Sequence, residues 1–449
     1  MSDPILLSDH FSYGRLLRFT LPAMAMMVFT SIYSVVDGLF VSNFAGTTPF
    51  AALNLIFPFL MFLSVVGFIF SSGGSALIAK TLGEGNPDKA NRIFSMLVYA
   101  GLFAGVFFAI IGWPLLDNIS RLLGADEAMI GDCVMYGHIL LIALPFFILQ
   151  IMFQALMITA ERPRLSLAVT LIAGGLNMLL DLLLVGILGL GLKGAAWATA
   201  ASQMAGSLIP FVYFSFPNSS RLRLVRPTFD FAALRQTCFN GLSEFFTNIS
   251  ATVVSMLYNY QLMKYIGENG VAAYGIIMYL AFVFAAIMIG YSMGSAPIVS
   301  YHFGAGNRAE LKNVFTKSMI LIGGIGMVQF LTAELLARPL ARVFVSYDPE
   351  LLDLTCRALR IYSVSFLLMG FNGYASAFFT ALNNGVVSAV ISVNRTLVCE
   401  TLAVLLIPLL FGVDGIWYAI IFAESAALIL TTYMLLKYRK RYGYAGNPL

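Results

Sequence analysis

Charged residues are scarce in this chain, since Asp, Glu, Lys and Arg make up only 11% of its 449 residues. A soluble globular protein carries about 25% charged residues, whereas 59% of the residues here are hydrophobic. This shortage of charge excludes a soluble protein and predicts a lipid bilayer as its surroundings. The net charge is only +4, and no basic cluster is interleaved with aromatic residues outside the loops, so no nucleic-acid partner is expected.

Cysteine is also scarce, and its four copies show no CxxC spacing. This distribution indicates neither a metal site nor redox chemistry, and no cofactor is expected. The polar N-terminus has no cleavable signal pattern, so the first apolar segment is expected to remain as a spanning helix. The sequence contains no HExxH or GxSxG motif, which argues against a membrane-embedded enzyme of those classes.

Long apolar runs make up most of the chain, and twelve of them are long enough to cross a bilayer as helices. They fall in two sets of six, separated by a polar, Arg-rich linker at 217–236. The predicted fold is an all-α polytopic membrane protein with an N-terminal six-helix lobe at 1–216 and a C-terminal six-helix lobe at 237–449. The runs lie at about 16–41, 50–79, 93–115, 134–158, 165–188, 194–216, 238–262, 271–300, 314–336, 356–381, 386–411 and 415–436.

Lys and Arg are concentrated in the segments that face the cytoplasm if the N-terminus is inside. Positively charged residues near the ends of spanning helices favour the cytoplasmic side of a membrane. We therefore expect a multi-pass protein of the cell (inner) membrane with both termini in the cytoplasm.

The two halves are related by an internal repeat. The loop Gly83-Glu84-Gly85-Asn86 recurs 221 residues later as Gly304-Ala305-Gly306-Asn307, and the same offset places Gly194 on Gly415. Because both six-helix halves have the same predicted orientation, the repeat is a parallel one, related by an axis along the membrane normal. Such repeats enclose a central cavity that opens to either side in turn, which is typical of transporters.

One apolar run carries a carboxylate near its middle. Asn177 and Asp181 lie within the run from Leu165 to Leu188, and their i, i+4 spacing places both side chains on one helical face. A charge at that depth costs about 3 to 15 kcal/mol, so the default interpretation is a buried functional site. The alternative is an Asp that is protonated or that reaches the interface from a helix end.

Similar pairs occur on two other helices of the first half, where Tyr33 and Asp37 lie on the first helix and Ala195 and Thr199 on the sixth. Carboxylate, amide, hydroxyl and carbonyl oxygens suit a hard cation such as Na⁺, and the acids equally suit a proton. Pro22 lies fifteen residues before Asp37, and it can let the first helix bend because proline removes a backbone hydrogen bond.

The repeat provides an internal control for this site. The offset of 221 residues replaces Asp37 by Tyr258 and Asp181 by Leu402 in the second half. The helical scaffold is therefore duplicated while the carboxylates are not. This contrast favours a functional site that is confined to the N-terminal half.

These features resemble the multidrug and toxic compound extrusion (MATE) transporters, and the run Ser34-Val35-Val36-Asp37-Gly38-Leu39-Phe40-Val41 is similar to their MepA-like and DinF-like bacterial branch. The resemblance covers nearly the whole chain. It implies alternating access between two lobes and export of amphipathic, cationic drugs. It implies a coupling H⁺ or Na⁺ bound by the residues that match the family's N-lobe set, Asp37, Asn177, Asp181 and Thr199. It also implies a surrounding hydrogen-bond network that includes Tyr33, Tyr136 and Gln154.

The sequence departs from part of the family in the second half. A C-lobe cation site would need an acid in the tenth helix, but the run Met369–Tyr374 has none. The remaining intramembrane polar residues are therefore expected either to line a substrate cavity or, for the acids near Arg395, to form structural ion pairs. They are Glu244, Asn248, Asn372, Glu400 and Glu424.

The sequence thus predicts a monomeric secondary antiporter that exports small amphipathic organic cations in exchange for H⁺ or Na⁺. Two alternatives stay open at this point. One is a flippase for a lipid-linked precursor, which would need a strongly cationic cavity, and the other is a receptor or enzyme without transport activity.

Overall fold

The computed structural model describes residues 5–345 and 348–444, and these residues form helical rods without any strand. Helical segments that follow one another directly are counted here as one rod, and so are the two segments that flank the turn Val364–Ser365; this gives twelve rods, at the positions of the twelve predicted spans. In the first half the rods are α1 (Tyr13–Phe40, continued by a π-helical turn Val41–Ala45), α2 (Thr47–Ile69, π-helical Phe70–Gly74, Ser75–Gly83), α3 (Pro87–Leu122), α4 (Ile130–Thr159), α5 (Pro163–Leu180 and π-helical Asp181–Ile187) and α6 (Gly191–Ser215). In the second half they are α7 (Phe231–Tyr265), α8 (Glu268–Gly304), α9 (Arg308–Arg342), α10 (Pro349–Ser363 and Phe366–Ala381), α11 (Gly385–Val393, π-helical Asn394–Cys399, Glu400–Phe411) and α12 (Val413–Tyr442).

Most of the rods are long and apolar enough to span a membrane. Nine of those within the described residues pass this test singly, and the two halves of α10, which meet at an angle of 50°, pass it together. The two other rods, α6 and α7, are long helices with more polar faces. The predicted all-α membrane fold is confirmed.

The repeated Gly-x-Gly-Asn loops are turns that end one rod and begin the next. Gly85 and Gly306 have φ angles of +77° and +67°, which glycine adopts without the steric penalty of other residues. Asn86 and Asn307 each accept a hydrogen bond from the backbone N–H three residues later, at 3.2 and 3.0 Å. These are N-caps of α3 and α9, so the loops have a structural role.

The linker between the halves is shorter than the sequence predicts. The prediction places its end at Gln236, whereas α7 begins at Phe231. Asp230 provides the physical reason, because its Oδ1 accepts a hydrogen bond from the backbone N–H of Ala233 at 3.0 Å and caps the helix.

The two halves approach each other closely through glycines related by the repeat. A Cβ atom built on Gly83 would overlap the carbonyl oxygen of Tyr301, and one on Gly304 would overlap that of Lys80. Backbone therefore packs on backbone where α2 meets α8. We call this end of the bundle the inner end, since the sequence predicts that its turns face the cytoplasm.

A second pair of contacts follows the same symmetry about three turns deeper. A Cβ on Gly73 would overlap the carbonyl oxygen of Thr237, and one on Gly294 would lie 3.0 Å from the Cα of Thr20. Among the described residues, every glycine that approaches backbone of the other half lies in this region. The lobes are therefore closed against each other at the inner end.

Candidate functional site

The first candidate site is a buried group of two acids and one amide on α1 and α5. The Asp37 side chain lies near those of Asp181 and Asn177, close enough for electrostatic interaction. Asn177 and Asp181 are 1% and 0% exposed. The structure therefore brings together, across two helices, three residues that sequence spacing could relate only within one helix.

Most of the oxygens in this group lack a hydrogen-bond donor. Within the described residues, Oδ1 of Asp37, Oδ1 of Asn177 and both carboxylate oxygens of Asp181 are buried without a partner. Two buried carboxylates in contact repel each other, and each is costly to desolvate without a compensating charge. A bound proton or small cation would supply this compensation.

The backbone around Asp181 is irregular, which helps to position its side chain. The α-helical part of α5 ends at Leu180, and a π-helical stretch runs from Asp181 to Ile187. π-Helical turns inside α-helices are frequent at functional sites, because the extra residue in the turn redirects side chains. The apolar run around Asp181 predicts a regular helix, so the π-helical stretch was not predicted.

The sixth rod packs tightly against this stretch. A Cβ on Gly194 would lie 3.0 Å from the backbone of Leu184. Thr199 follows Gly194 by five residues, or about 7.5 Å along the axis, which brings it level with the start of the π-helical stretch in the antiparallel α5. Thr199 is half-buried, and Ala195 is buried in the N-terminal hydrophobic cluster. Their part in cation binding stays a prediction.

Two tyrosines of the predicted network lie beside the acids. Tyr33 packs against α5, since its Cδ1 would lie 3.3 Å from a Cβ on Gly174, and it is close enough to Asp37 to feel its charge. Tyr136 on α4 is 3% exposed and lies within electrostatic range of both Asp37 and Asp181. Both phenol side chains therefore lie near the acidic group.

Gln154 does not lie with these tyrosines. It follows Tyr136 by eighteen residues on α4, which corresponds to about 27 Å of helix. Its carbonyl oxygen accepts a hydrogen bond from Ser166 Oγ at 2.9 Å, and Ser166 precedes Asn177 by eleven residues. The structure therefore places Gln154 near the inner end, about 16 Å from the acids along α5.

Pro22 also lies at the inner end, within the continuous α1. Thr20 and Met24, on either side of it, pack against α8, where a Cβ on Gly290 would lie 2.5 Å from the Cα of Met24. Pro22 is thus part of the contact between the lobes, about 22 Å along α1 from Asp37.

In the second half, Glu424 and Arg395 form a buried ion pair. Arg395 donates to Glu424 Oε1 from Nε at 2.8 Å and from Nη2 at 2.7 Å. Asn372 Nδ2 donates to Glu424 Oε2 at 2.7 Å. Glu424 and Asn372 are 2% and 0% exposed. This geometry favours the structural ion pair over the predicted cavity-lining role for these two residues.

Glu400 lies within electrostatic range of Glu424 and Arg395, and it also lies among tyrosines. It is within electrostatic range of Tyr258, Tyr274 and Tyr362, and the rings of Tyr258 and Tyr274 are stacked with centroids 4.8 Å apart. Tyr258 occupies the repeat position of Asp37. This tyrosine cluster was not predicted from the sequence. The available signal was that Tyr replaces Asp at the repeat position.

Glu244 and Asn248 lie on one face of α7. Glu244 is partly exposed and Asn248 is exposed, and the Asn248 amide donates to the Glu244 backbone carbonyl at 2.8 Å. Within the described residues Glu244 has no ion-pair partner. A role of these two residues in a substrate cavity stays a prediction.

Comparison with known proteins relates both halves to one family. The MatE family model matches residues 22–183 and 245–405, which places one copy in each half. The chain is 26% identical over 434 residues to the multidrug export protein MepA of Staphylococcus haemolyticus, covering 96% of this chain and 94% of that protein. The corresponding protein of Staphylococcus aureus strain MSSA476 is 25% identical over 429 residues, with 94% of each chain covered. In fold, the chain is similar to a crystal structure of MATE in complex with MaL6, with a TM-score of 0.92 and 21% identity over 98% of both chains.

Proposed function

The chain belongs to the MatE family, and from this membership we propose that it is a secondary antiporter that exports amphipathic, cationic organic compounds in exchange for H⁺ or Na⁺. Members of this family are membrane transporters, so the chain is not an enzyme. The proposed location is the cell (inner) membrane, with both termini in the cytoplasm. The complete acidic group lies within one lobe, which is compatible with a monomer.

The donorless acidic group carries the proposal. Asp37 and Asp181 are electrostatic neighbours, and three of their four carboxylate oxygens are buried without a donor. Binding of a proton or Na⁺ relieves the repulsion between them, and release restores it. The free energy of the group therefore depends on cation occupancy, which is the property that a coupling site requires.

The first helix provides a connection from this group to the lobe interface. Asp37 lies near one end of α1, while Thr20 and Met24 near the other end pack against α8 of the second lobe. A change in the position of Asp37 therefore acts on a rod that contacts both lobes. We infer that cation binding acts through α1, which contacts both the acidic group and the lobe interface. It thereby shifts the balance between the outward-open and the inward-open state.

The substrate class follows from the relatives and from charge. The similar proteins of Staphylococcus are multidrug export proteins, and the unpaired acid Glu244 favours cationic ligands. The chain has 21 methionines, whose flexible and polarisable side chains would let a cavity wall adapt to ligands of different shape.

The alternative of a lipid-precursor flippase is disfavoured by the paired state of Arg395. A pyrophosphate headgroup would need free cationic side chains in the membrane. The guanidinium of Arg395 instead makes two contacts with Glu424.

The first prediction tests the acidic group directly. Purified protein in liposomes is given an Na⁺ gradient or a proton gradient, and transport of a cationic dye is measured for Asp37→Asn and Asp181→Asn. We expect gradient-driven transport to fall at least about tenfold in both, because a buried amide cannot replace the charge that the cation neutralises. Asp88→Asn, at an exposed acid of the inner end, is the matched control and should transport normally.

The two gradients identify the coupling ion, since only the correct one drives transport in the unchanged protein. Full gradient-driven export by both Asp→Asn variants at normal protein levels would rule out the proposed coupling site.

A further inference from the structure

The segment before α1 is ordered against the protein rather than exposed. We call residues 5–12 the N-terminal strap. Leu7 and Phe11 are both fully buried, although they precede the first helix. They belong to a hydrophobic cluster that also contains Ile158 from the first lobe and Phe378 from the second. The strap therefore lies across the boundary between the lobes at the inner end.

The first lobe holds the strap through Glu161, in the turn between α4 and α5. The backbone N–H of Leu7 donates to Glu161 Oε1 at 2.8 Å, and Arg221 Nε lies 3.3 Å from Glu161 Oε2. Glu161 has a φ of +63°, a left-handed conformation that is uncommon for a residue with a side chain. Burial raises the pKa of Glu161, while the Leu7 amide and the Arg221 guanidinium act in the opposite direction.

The second lobe holds the strap through the first turns of α9. Both carboxylate oxygens of Glu310 are used: Oε1 accepts from the backbone N–H of Phe11 at 2.8 Å, and Oε2 lies 2.7 Å from His10 Nδ1. The carbonyl oxygen of Phe11 accepts from Asn313 at 3.0 Å and from Lys317 at 2.7 Å. Four strap contacts thus converge on one face of α9.

Leu7 and Phe11 are only four residues apart, so the strap is a short tie between Glu161 and Glu310. If the lobes separate at the inner end, at least one of the two carboxylates must release its backbone amide. Each is a hydrogen bond to a buried charged acceptor, which belongs to the stronger class of such bonds.

The linker before α7 makes the corresponding arrangement in the first lobe. The backbone N–H groups of Arg223 and Val225 donate to the side chains of Asn91 at 2.9 Å and Ser95 at 2.8 Å, both on α3. Each lobe is therefore preceded by a segment that is bound by the third rod of the other lobe. This exchange follows the internal repeat, so the contact of the strap with the other lobe is part of the repeated architecture and is not peculiar to the N-terminus.

We propose that the N-terminal strap, held by Glu161 and Glu310, is an inter-lobe latch that stabilises the state closed at the inner end. The latch sets the balance between the two states of the alternating-access cycle, and in that respect it rests on the proposed function. Glu161 and Glu310 are positioning residues, because they act on the lobes and not on the exported compound.

The test measures the separation of the lobes by double electron–electron resonance. Spin labels are placed at the exposed positions Arg164 and Ala309, one in each lobe, after the four native cysteines are replaced by serine. We expect Glu161→Ala and Glu310→Ala each to raise the ratio of long to short label distances about tenfold. Deletion of residues 2–9 should raise the same ratio. Because the deletion changes no residue of the helices, it provides a second test if an Ala variant fails to fold.

Non-additivity distinguishes a latch from two separate stabilising contacts. A tie is released when either of its two ends loses its contact. The ratio of long to short label distances in the double variant should therefore exceed that of the stronger single variant by no more than about twofold. Glu84→Ala, which changes an exposed acid of the same end, is the control and should leave the distances unchanged.

Unchanged distances in the strap variants, multiplicative effects in the double variant, or an equal effect of the control Glu84→Ala would each overturn the latch. The measurement needs no gradient and no substrate, so its outcome is independent of whether the coupling ion and the exported compound are as proposed.

Discussion

Asp37 and Tyr258 occupy equivalent positions of the two halves, yet their surroundings are chemically opposite. Asp37 meets Asp181 and an amide without sufficient donors, whereas Tyr258 stacks on Tyr274. A phenol can be buried at much lower cost than a carboxylate, because it is neutral. On the proposed function, this difference at single residues makes the first lobe responsive to cations, while the second keeps a similar scaffold.

Glu424 provides a prediction at this scale. Glu424→Gln leaves the partly buried guanidinium of Arg395 without its counter-charge, so we expect a loss of about 2 kcal/mol in the free energy of unfolding. Thermal unfolding in detergent measures it as a lower Tm. The double variant Arg395→Gln, Glu424→Gln should recover much of the loss, because no unpaired charge remains. An unchanged Tm in the single variant would contradict the ion-pair interpretation.

At the scale of elements, the close helix contacts depend on glycine. The α2–α8 contact at the inner end has no room for a side chain on either Gly83 or Gly304. These two glycines were recognised in the sequence as parts of a repeated loop, but the pattern alone related them to turns. Their packing against each other's helix is a property of the assembled lobes.

Gly83→Ala therefore should weaken the closed inner end. The added methyl would overlap the carbonyl oxygen of Tyr301, so the helices must move apart or distort. We expect a lower Tm and a shift to longer distances between the labels at Arg164 and Ala309. Gly324→Ala is the matched control, since nothing lies within 4 Å of a Cβ at that helical position. Equal Tm values and equal label distances in the two variants would show that the α2–α8 contact adds no stability.

At the scale of the whole molecule, two similar lobes differ in their buried charges. The family model matches both halves over nearly equal lengths, but within the residues that the structure describes the donorless acidic group lies in the first half. Glu400, the acid within the tyrosine cluster of the second lobe, is the natural comparison, because it is also deeply placed and close to other titratable groups.

If coupling resides in the first lobe, Glu400→Gln should keep gradient-driven transport within about threefold of the unchanged protein, while Asp37→Asn loses it. The assay is the same dye transport in liposomes, with both variants at matched protein levels. The reverse result, with coupling lost in Glu400→Gln and kept in Asp37→Asn, would move the coupling site to the second lobe.

The sequence by itself determined the twelve helices, since apolar runs of bilayer length leave a chain no other way to satisfy its backbone. It also determined the repeat and the pairing of Asn177 with Asp181, because helical periodicity fixes which near neighbours share a face. Only the tertiary structure decided which helices meet. It placed Asp37 beside Asp181, left Gln154 far from them, and paired Arg395 with Glu424. The contact between Phe11 and Asn313 spans 302 residues, and no local pattern encodes a contact at that separation, because it arises only when the lobes pack together.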